Sequence, residues 1–296
     1  MTTTSKTSVD VYQIITDRLV AILEAGTVPW RKPWNYGSER GPLNLVSRKH
    51  YQGINSFLLA CTPYASPYWL TYNQAQKLGG HVRKGEVGRY IIFWKIYEKE
   101  DPTIEDDKKR LTVLRYFTVF NTEQCEGITT PAPDTSTWHN HDPIEAAEAV
   151  QLAMPNRPTV SIGGTKACYS PVHDHVRVPE LFRYERPEEY YCTLFHELAH
   201  ATGHQSRLNR EGITGNHFFG DDSYSREELV AEMTAAFLCG HVGIENATIQ
   251  NSAAYLQSWI KALRGDKRLA ITAAAQAQKA ADYILNRKHH EGSEEQ

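Results

Sequence analysis

Tyr190 to His204 reads YYCTLFHELAHATGH. Its apolar periodicity predicts a helix over Glu188–Thr202, stopped by Gly203. Inside that helix His196, Glu197 and His200 form HELAH. A separation of four residues puts both imidazoles on one helical face, spaced to bind a single metal ion. Glu197 lies about 100° further round the helix, so it is turned away from ligation but within reach of a water on the ion. Metal coordination lowers that water's pKa toward about 7, and a neighbouring carboxylate can take its proton and later return it to a leaving amine. The chemistry implied is peptide-bond hydrolysis, with Glu197 as the catalytic general base.

Two histidines leave a ligand position to fill. A third histidine six residues after His200 would complete HExxHxxGxxH, but position 206 is serine. The other scheme takes a glutamate from a later helix, and Ser225–Leu238, SREELVAEMTAAFL, offers Glu227, Glu228 and Glu232. Leu229, Met233, Ala236 and Phe237 form that helix's core face, and Glu228 and Glu232 flank it four residues apart. Glu228 is assigned as third ligand. Glu232 is assigned as the carboxylate that accepts the free N–H of a ligand histidine and fixes its tautomer. Ser225 is the predicted N-cap, with Glu228 at the spacing of a capping box. Two histidines and a glutamate with an open position form a catalytic pattern. One divalent ion is expected, zinc first, with manganese or another transition metal as alternatives. His175–Pro179 is read as an edge strand able to hold an extended peptide. Tyr224 and Tyr255 are candidate oxyanion donors, and His204 is read as a surface or substrate-facing group.

Outward from the motif the chain divides by charge. Residues 1–121 carry 17 Lys+Arg and 11 Asp+Glu, a net of +6, and 122–296 carry 15 and 24, a net of −9. The first part also holds 17 of the 31 aromatic residues. Thr122–Glu145 is rich in Pro, Thr, Asp and Gly and lacks apolar periodicity, the signature of a linker. The expected organisation is a small α+β domain over 1–121, a linker over 122–145 and a helix-rich domain over 146–296.

In the first part, helices are predicted over Val9–Ala25, about Ile54–Leu59, and Thr71–Leu78 with Thr71 as N-cap. Strands are predicted at Arg89–Tyr97 and Leu111–Asn121, either side of a charged hairpin tip. After the linker, helices are predicted over Pro143–Ala153, Ser225–Cys239, about Ser252–Leu263 and about Asp266–Leu285. Three clusters mix cations with aromatic rings: Trp30, Arg31, Lys32 and Trp34; Arg48, Lys49 and Tyr51; and Arg83 and Lys84 followed by Trp94 and Lys95. Phosphates need cations and unpaired bases need flat faces, so these eleven residues are read as a surface for single-stranded nucleic acid; the resemblance given below makes that DNA. Nothing in the sequence matches a duplex-reading motif.

No run of about 18 apolar residues is present, which excludes a transmembrane helix. The first residues lack an export signal. The five cysteines form no CxxC pair, pointing to reduced thiols and a cytoplasmic location with no membrane partner.

VYQIITDRLVAILEAGTVPWRKPW, RKHYQGINSFLL and YWLTYNQAQKLGGHVRKGEVG resemble the N-terminal single-stranded-DNA-binding domain of the ArdC antirestriction family, a domain shared with TraC-type plasmid primases. TLFHELAHATGHQSRLNR, YSREELVAEMTAAFLCGHVGI and AAYLQSWIKALRGDKR resemble the zincin-type metallopeptidase domain that follows it there. The resemblance implies a small α+β DNA-binding domain followed by a zincin-like fold with a gluzincin-type HExxH site. It also implies a plasmid-encoded protein that shields incoming DNA from host restriction during conjugation. A protein substrate or the restriction machinery is a candidate further partner, and the sequence does not name the peptidase substrate. The rival reading is a protein that coats single-stranded DNA and uses its metal structurally or for regulation; a primase accessory ranks third.

Overall fold

The computed structural model describes residues 10–25, 28, 41–60, 62, 64, 66–100, 108–131, 143–214, 222–244 and 253–287, excepting the side chains of 94–100, 108–113, 143, 222–224 and 253–256. The fold is mixed α+β: a strand-rich first part and a helix-rich, zincin-like second part. None of the described helices is long and apolar enough to cross a membrane.

The first part opens with α1 (Val11–Glu24), capped by Asp10, whose carboxylate accepts from Gln13 N at 3.2 Å. Next come β1 (Leu43–Asn44), α2 (Ile54–Ala60), β2 (Tyr68–Thr71) and α3 (Tyr72–Lys77). Thr71 caps α3 as expected, and Gln74 returns its side chain to the Thr71 N–H to close a capping box. β3 (His81–Val82), β4 (Arg89–Glu100), β5 (Lys108–Asn121) and β6 (Cys125–Glu126) complete this part. One sheet has the order β1-β2-β5-β4, with β1 parallel to β2 and the other pairs antiparallel. β3 and β6 form a separate antiparallel pair.

That pair ties the start of the stretch read as a linker to the first part. Thr122–Gln124 is a 3-10 turn capped by Asn121, and Cys125 pairs with Val82, so residues 122–126 are held against the first part. Composition concealed this because such short pairing leaves no periodic pattern.

The second part runs α4 (Pro143–Ala153), β7 (Thr159–Ile162), β8 (Cys168–Ser170), β9 (His175–Val178), α5 (Pro187–Thr202), α6 (Glu211–Thr214), α7 (Asp222–Val242), α8 (Ala253–Gly265) and α9 (Leu269–Ile284). Its sheet has the order β7-β9-β8. β9 is therefore the central strand, paired on both sides, and cannot accept an added peptide as the sequence reading expected; among the described residues the outer strands are β7 and β8. One apolar cluster buries β9 against α4, α5, α7 and α9. Within it the thiols of Cys192 and Cys239, 47 positions apart, lie 3.0 Å from one another.

A second cluster crosses between the parts. Ile15, Leu19 and Leu23 of α1 and Phe57 and Leu58 of α2 pack with Leu229 and Met233 of α7, Trp259 and Leu263 of α8 and Ala270 of α9. Polar contacts seal it: Thr16 Oγ1 donates to Lys267 O at 2.9 Å, Arg18 to Leu58 O at 3.0 Å, and Arg264 pairs with Glu24.

Candidate metal centre

Pro187 begins α5 at a position where its missing N–H costs nothing, and Glu188 and Glu189 follow in the first turn, where the helix dipole favours negative charge. The helix stops at Gly203, as expected, for a reason the sequence did not reveal. Gly203 has φ −75°, an ordinary right-handed value. A Cβ there would come within 2.5 Å of Ile213 Cγ1. Glycine is needed because the chain doubles back against the end of the helix.

The returning segment carries two arginines that lock the site. Arg210 donates to Ala199 O at 2.7 Å and Thr202 Oγ1 at 2.6 Å, filling acceptors at the end of α5, and grips both oxygens of Glu227 on α7 at 2.6 and 3.0 Å. Arg207 holds both oxygens of Asp174, ahead of β9, at 2.6 and 2.8 Å.

α7 begins at Asp222, three residues earlier than expected, so Ser225 lies within the helix and is not its N-cap. Its hydroxyl lies 3.1 Å from Ser258 Oγ. The carboxylate of Glu228, free of a capping box, turns to the histidines. His196 Nε2 and His200 Nε2 are 3.1 Å apart, and the two oxygens of Glu228 lie 3.5 Å from one and 3.5 Å from the other. One donor atom from each of these three residues falls within 4.8 Å of the others. An ion about 2.0–2.2 Å from each donor fits such a triangle.

The other ring nitrogens face away from this point and toward carboxylates. His196 Nδ1 is 3.7 Å from Glu232 Oε1, and His200 Nδ1 is 3.4 Å from Glu227 Oε1. Burial alone would lower both histidine pKa values. The facing carboxylates, Glu228 foremost for His196 and Glu227 and Glu228 for His200, outweigh it, raising His196 and pushing His200 up to about 10. Against their own burial, Glu227 and Glu228 are held below the usual carboxylate range by these imidazoles, with Arg210 also acting on Glu227.

Glu197 is buried, at 8% exposure. Burial first, and then the Glu197 charge, hold the Tyr184 hydroxyl above its ordinary pKa despite a hydrogen bond to Thr193. The Tyr184 hydroxyl, which the sequence reading did not select, feels the Glu197 charge; the side chains of Tyr224 and Tyr255 lie outside the described residues. His204 sits beyond the helix, half-buried, with Nδ1 2.8 Å from Ser206 Oγ, and is not among the converging donors. Arg210 was also missed, and Glu227 was considered only as a ligand. A lone arginine in a loop carries no periodic signal, and its partner is 17 residues away.

The residues expected to form a DNA surface are described only in part. Trp30, Arg31, Lys32 and Trp34 lie outside the described residues, and so do the side chains of Trp94 and Lys95, which belong to β4. Arg48, Lys49, Arg83 and Lys84 are exposed. Arg48 sits over the Tyr68 ring at 5.4 Å, and Arg83 pairs with Glu86 at 2.7 Å. Tyr51 corrects the sequence reading: its ring is 7% exposed and packs with Leu59, Trp69 and Val119, so its faces serve the core and not a stacked base.

A motif helix, a small mixed sheet beside it and a second helix returning a glutamate to two histidines define the class: a zincin-like metallopeptidase domain. Residues 146–276 match the family described as zincin-like metallopeptidase, and residues 9–120 match the N-terminal domain of the anti-restriction factor ArdC. The chain superposes on the crystal structure of the antirestriction protein ArdC from plasmid R388 with a TM-score of 0.74 and 36% identity, for both its metal-free and its Mn(II)-bound structures. The match covers 95% of this chain and 100% of the metal-free chain. It is 34% identical to an uncharacterized protein, y4eC, of Sinorhizobium fredii (strain NBRC 101917 / NGR234), over 95% of this chain and 93% of that one. Two DNA primases TraC of Escherichia coli are 36% identical over 93% of this chain, which spans 27% and 20% of their lengths. The chain belongs to the ArdC family of antirestriction proteins.

Proposed function

We propose that this chain holds one divalent metal ion through His196, His200 and Glu228, hydrolyses peptide bonds there, and binds single-stranded DNA with its first part, the two together serving antirestriction during conjugation. The observation that carries the reading is the convergence of both Nε2 atoms and one carboxylate on a single point, with each Nδ1 turned to a carboxylate. Zinc suits this donor set, and the Mn(II)-bound relative makes manganese an equal candidate. A bound ion supplies a Lewis acid and an acidified water. Glu197, next to His196 on the same helix, takes the proton at its carboxylate and delivers it to the departing amine. Glu227, 3.4 Å from His200 Nδ1, holds that imidazole in the tautomer that presents Nε2, and Glu232 faces His196 Nδ1 across 3.7 Å.

Glu197→Gln in the purified full-length protein should keep the metal stoichiometry and lose cleavage, whereas His196→Ala should lose the metal. Cleavage by Glu197→Gln protein would overturn the mechanism. DNA affinity should fall steeply with salt, because each neutralised phosphate releases counterions. A second reading, DNA coating with a structural metal, is favoured by one feature: α7 carries Glu228 and also packs on α1 and α2 through the shared cluster. Antirestriction that survives in the Glu197→Gln variant but not in His196→Ala would favour it. An isolated 1–121 fragment cannot decide the question, since it would expose Ile15, Leu19 and Phe57.

A further inference from the structure

A cleft of about 280 Å³ opens where the two parts meet, away from the metal triangle. The first part contributes Gly41, His50, Tyr51 and Ser56; the second contributes Phe237 and His241 of α7 and Leu285 and Arg287 beyond α9. Its chemistry is divided. Phe237, half-buried and stacked on Phe57 at 4.6 Å between centroids, joins Ala236, Ala281 and Leu285 as an apolar wall. The Arg287 guanidinium lies 3.3 Å from both ring nitrogens of His241, with exposed His50 also on the lining. No Asp or Glu lines the cleft among the described residues, although the second part carries a net of −9.

An apolar wall beside an arginine and two imidazoles suits a base and its phosphate. The volume falls just below the range of about 300–1,000 Å³ typical of ligand pockets, which limits the occupant to one nucleotide. Position argues for a strand as its source. His50 follows Arg48 and Lys49, so one of the clusters read as a DNA surface adjoins the cleft.

We infer that this cleft is a one-nucleotide subsite for single-stranded DNA, with Arg287 and His241 as phosphate contacts supplied by the metallopeptidase part. The inference rests on the proposed DNA binding. It adds that the strand touches both parts of the chain.

The test uses full-length protein and a fluorescent oligo-dT strand. Arg287→Ala should weaken binding several-fold and reduce the slope of log K against log salt by about 0.7, the loss of one phosphate contact on a single strand. Arg287→Lys should restore the slope, and metal stoichiometry should not change. A strand carrying 5-iodouracil should photocrosslink to a peptide containing Phe237 or His241. Wild-type affinity and slope in Arg287→Ala, with crosslinks confined to residues before 122, would overturn the subsite while leaving DNA binding intact. Absence of strand binding by the wild-type protein would overturn the DNA reading and the subsite with it. Binding of dTMP as tight as that of the strand would overturn the strand as the source.

Discussion

Each histidine of the HELAH motif works through two nitrogens, and only one of the two was legible in sequence. Spacing alone made His196 and His200 a pair, and the empty coordination position drew in Glu228. What lies behind His200 was not legible, because Glu227 acquires its role from Arg210, a loop residue that grips it with two hydrogen bonds. Groups that orient ligand histidines commonly affect metal affinity by about 10–100-fold. Glu227→Gln should therefore weaken metal binding by about that factor in competition with a chelator, while the triangle of donors stays in place. An unchanged affinity would remove Glu227 from the site. The same titration carries a pH signature. The facing carboxylates raise both imidazole pKa values, so a metal must displace protons, and affinity should climb as pH rises toward the His200 value of about 10.

Helices with long periodic faces were read to within a few residues: α1, α4, α5, α8 and α9 all fall close to their expected spans. α7 began earlier than its apparent cap because Ser225 followed by Glu228 satisfies the spacing of a capping box without forming one. Short strands were invisible. β1, β3 and β6 are two residues each and exist only through distant partners. β9 was recognised as a strand, yet its central place in the sheet depends on β7 and β8. The end of α5 makes a testable case at this scale. Gly203→Ala gains helix propensity of about 1 kcal/mol at most. It sets a methyl group 2.5 Å from Ile213 Cγ1, and overpacking of this kind costs about 1–3 kcal/mol. The expected outcome is a lower urea midpoint accompanied by weaker metal binding, since the displaced segment carries Arg210. A raised midpoint would show that the return loop accommodates the methyl.

Across the whole molecule the charge division at residue 121 holds, but the apolar core does not follow it. α1 and α2 are buried on α7, α8 and α9, so the first part leans on the helix that presents Glu228. Leu19→Ala removes a fully buried side chain in that cluster and should cost about 2–5 kcal/mol. Because the cluster is shared, metal release and loss of β-sheet signal should shift together in denaturant; a metal-site transition that stays at the wild-type midpoint would show that the parts unfold independently. The sequence by itself determined the motif helix, the three residues whose donor atoms converge, the basic and acidic parts and most helix spans, because each is written in local spacing or composition. Only the tertiary structure decided which carboxylates back which imidazole, that Tyr51 belongs to the core, that β9 is central and that a cleft joins the two parts. These depend on contacts between residues far apart in the chain, where neither periodicity nor spacing carries a signal.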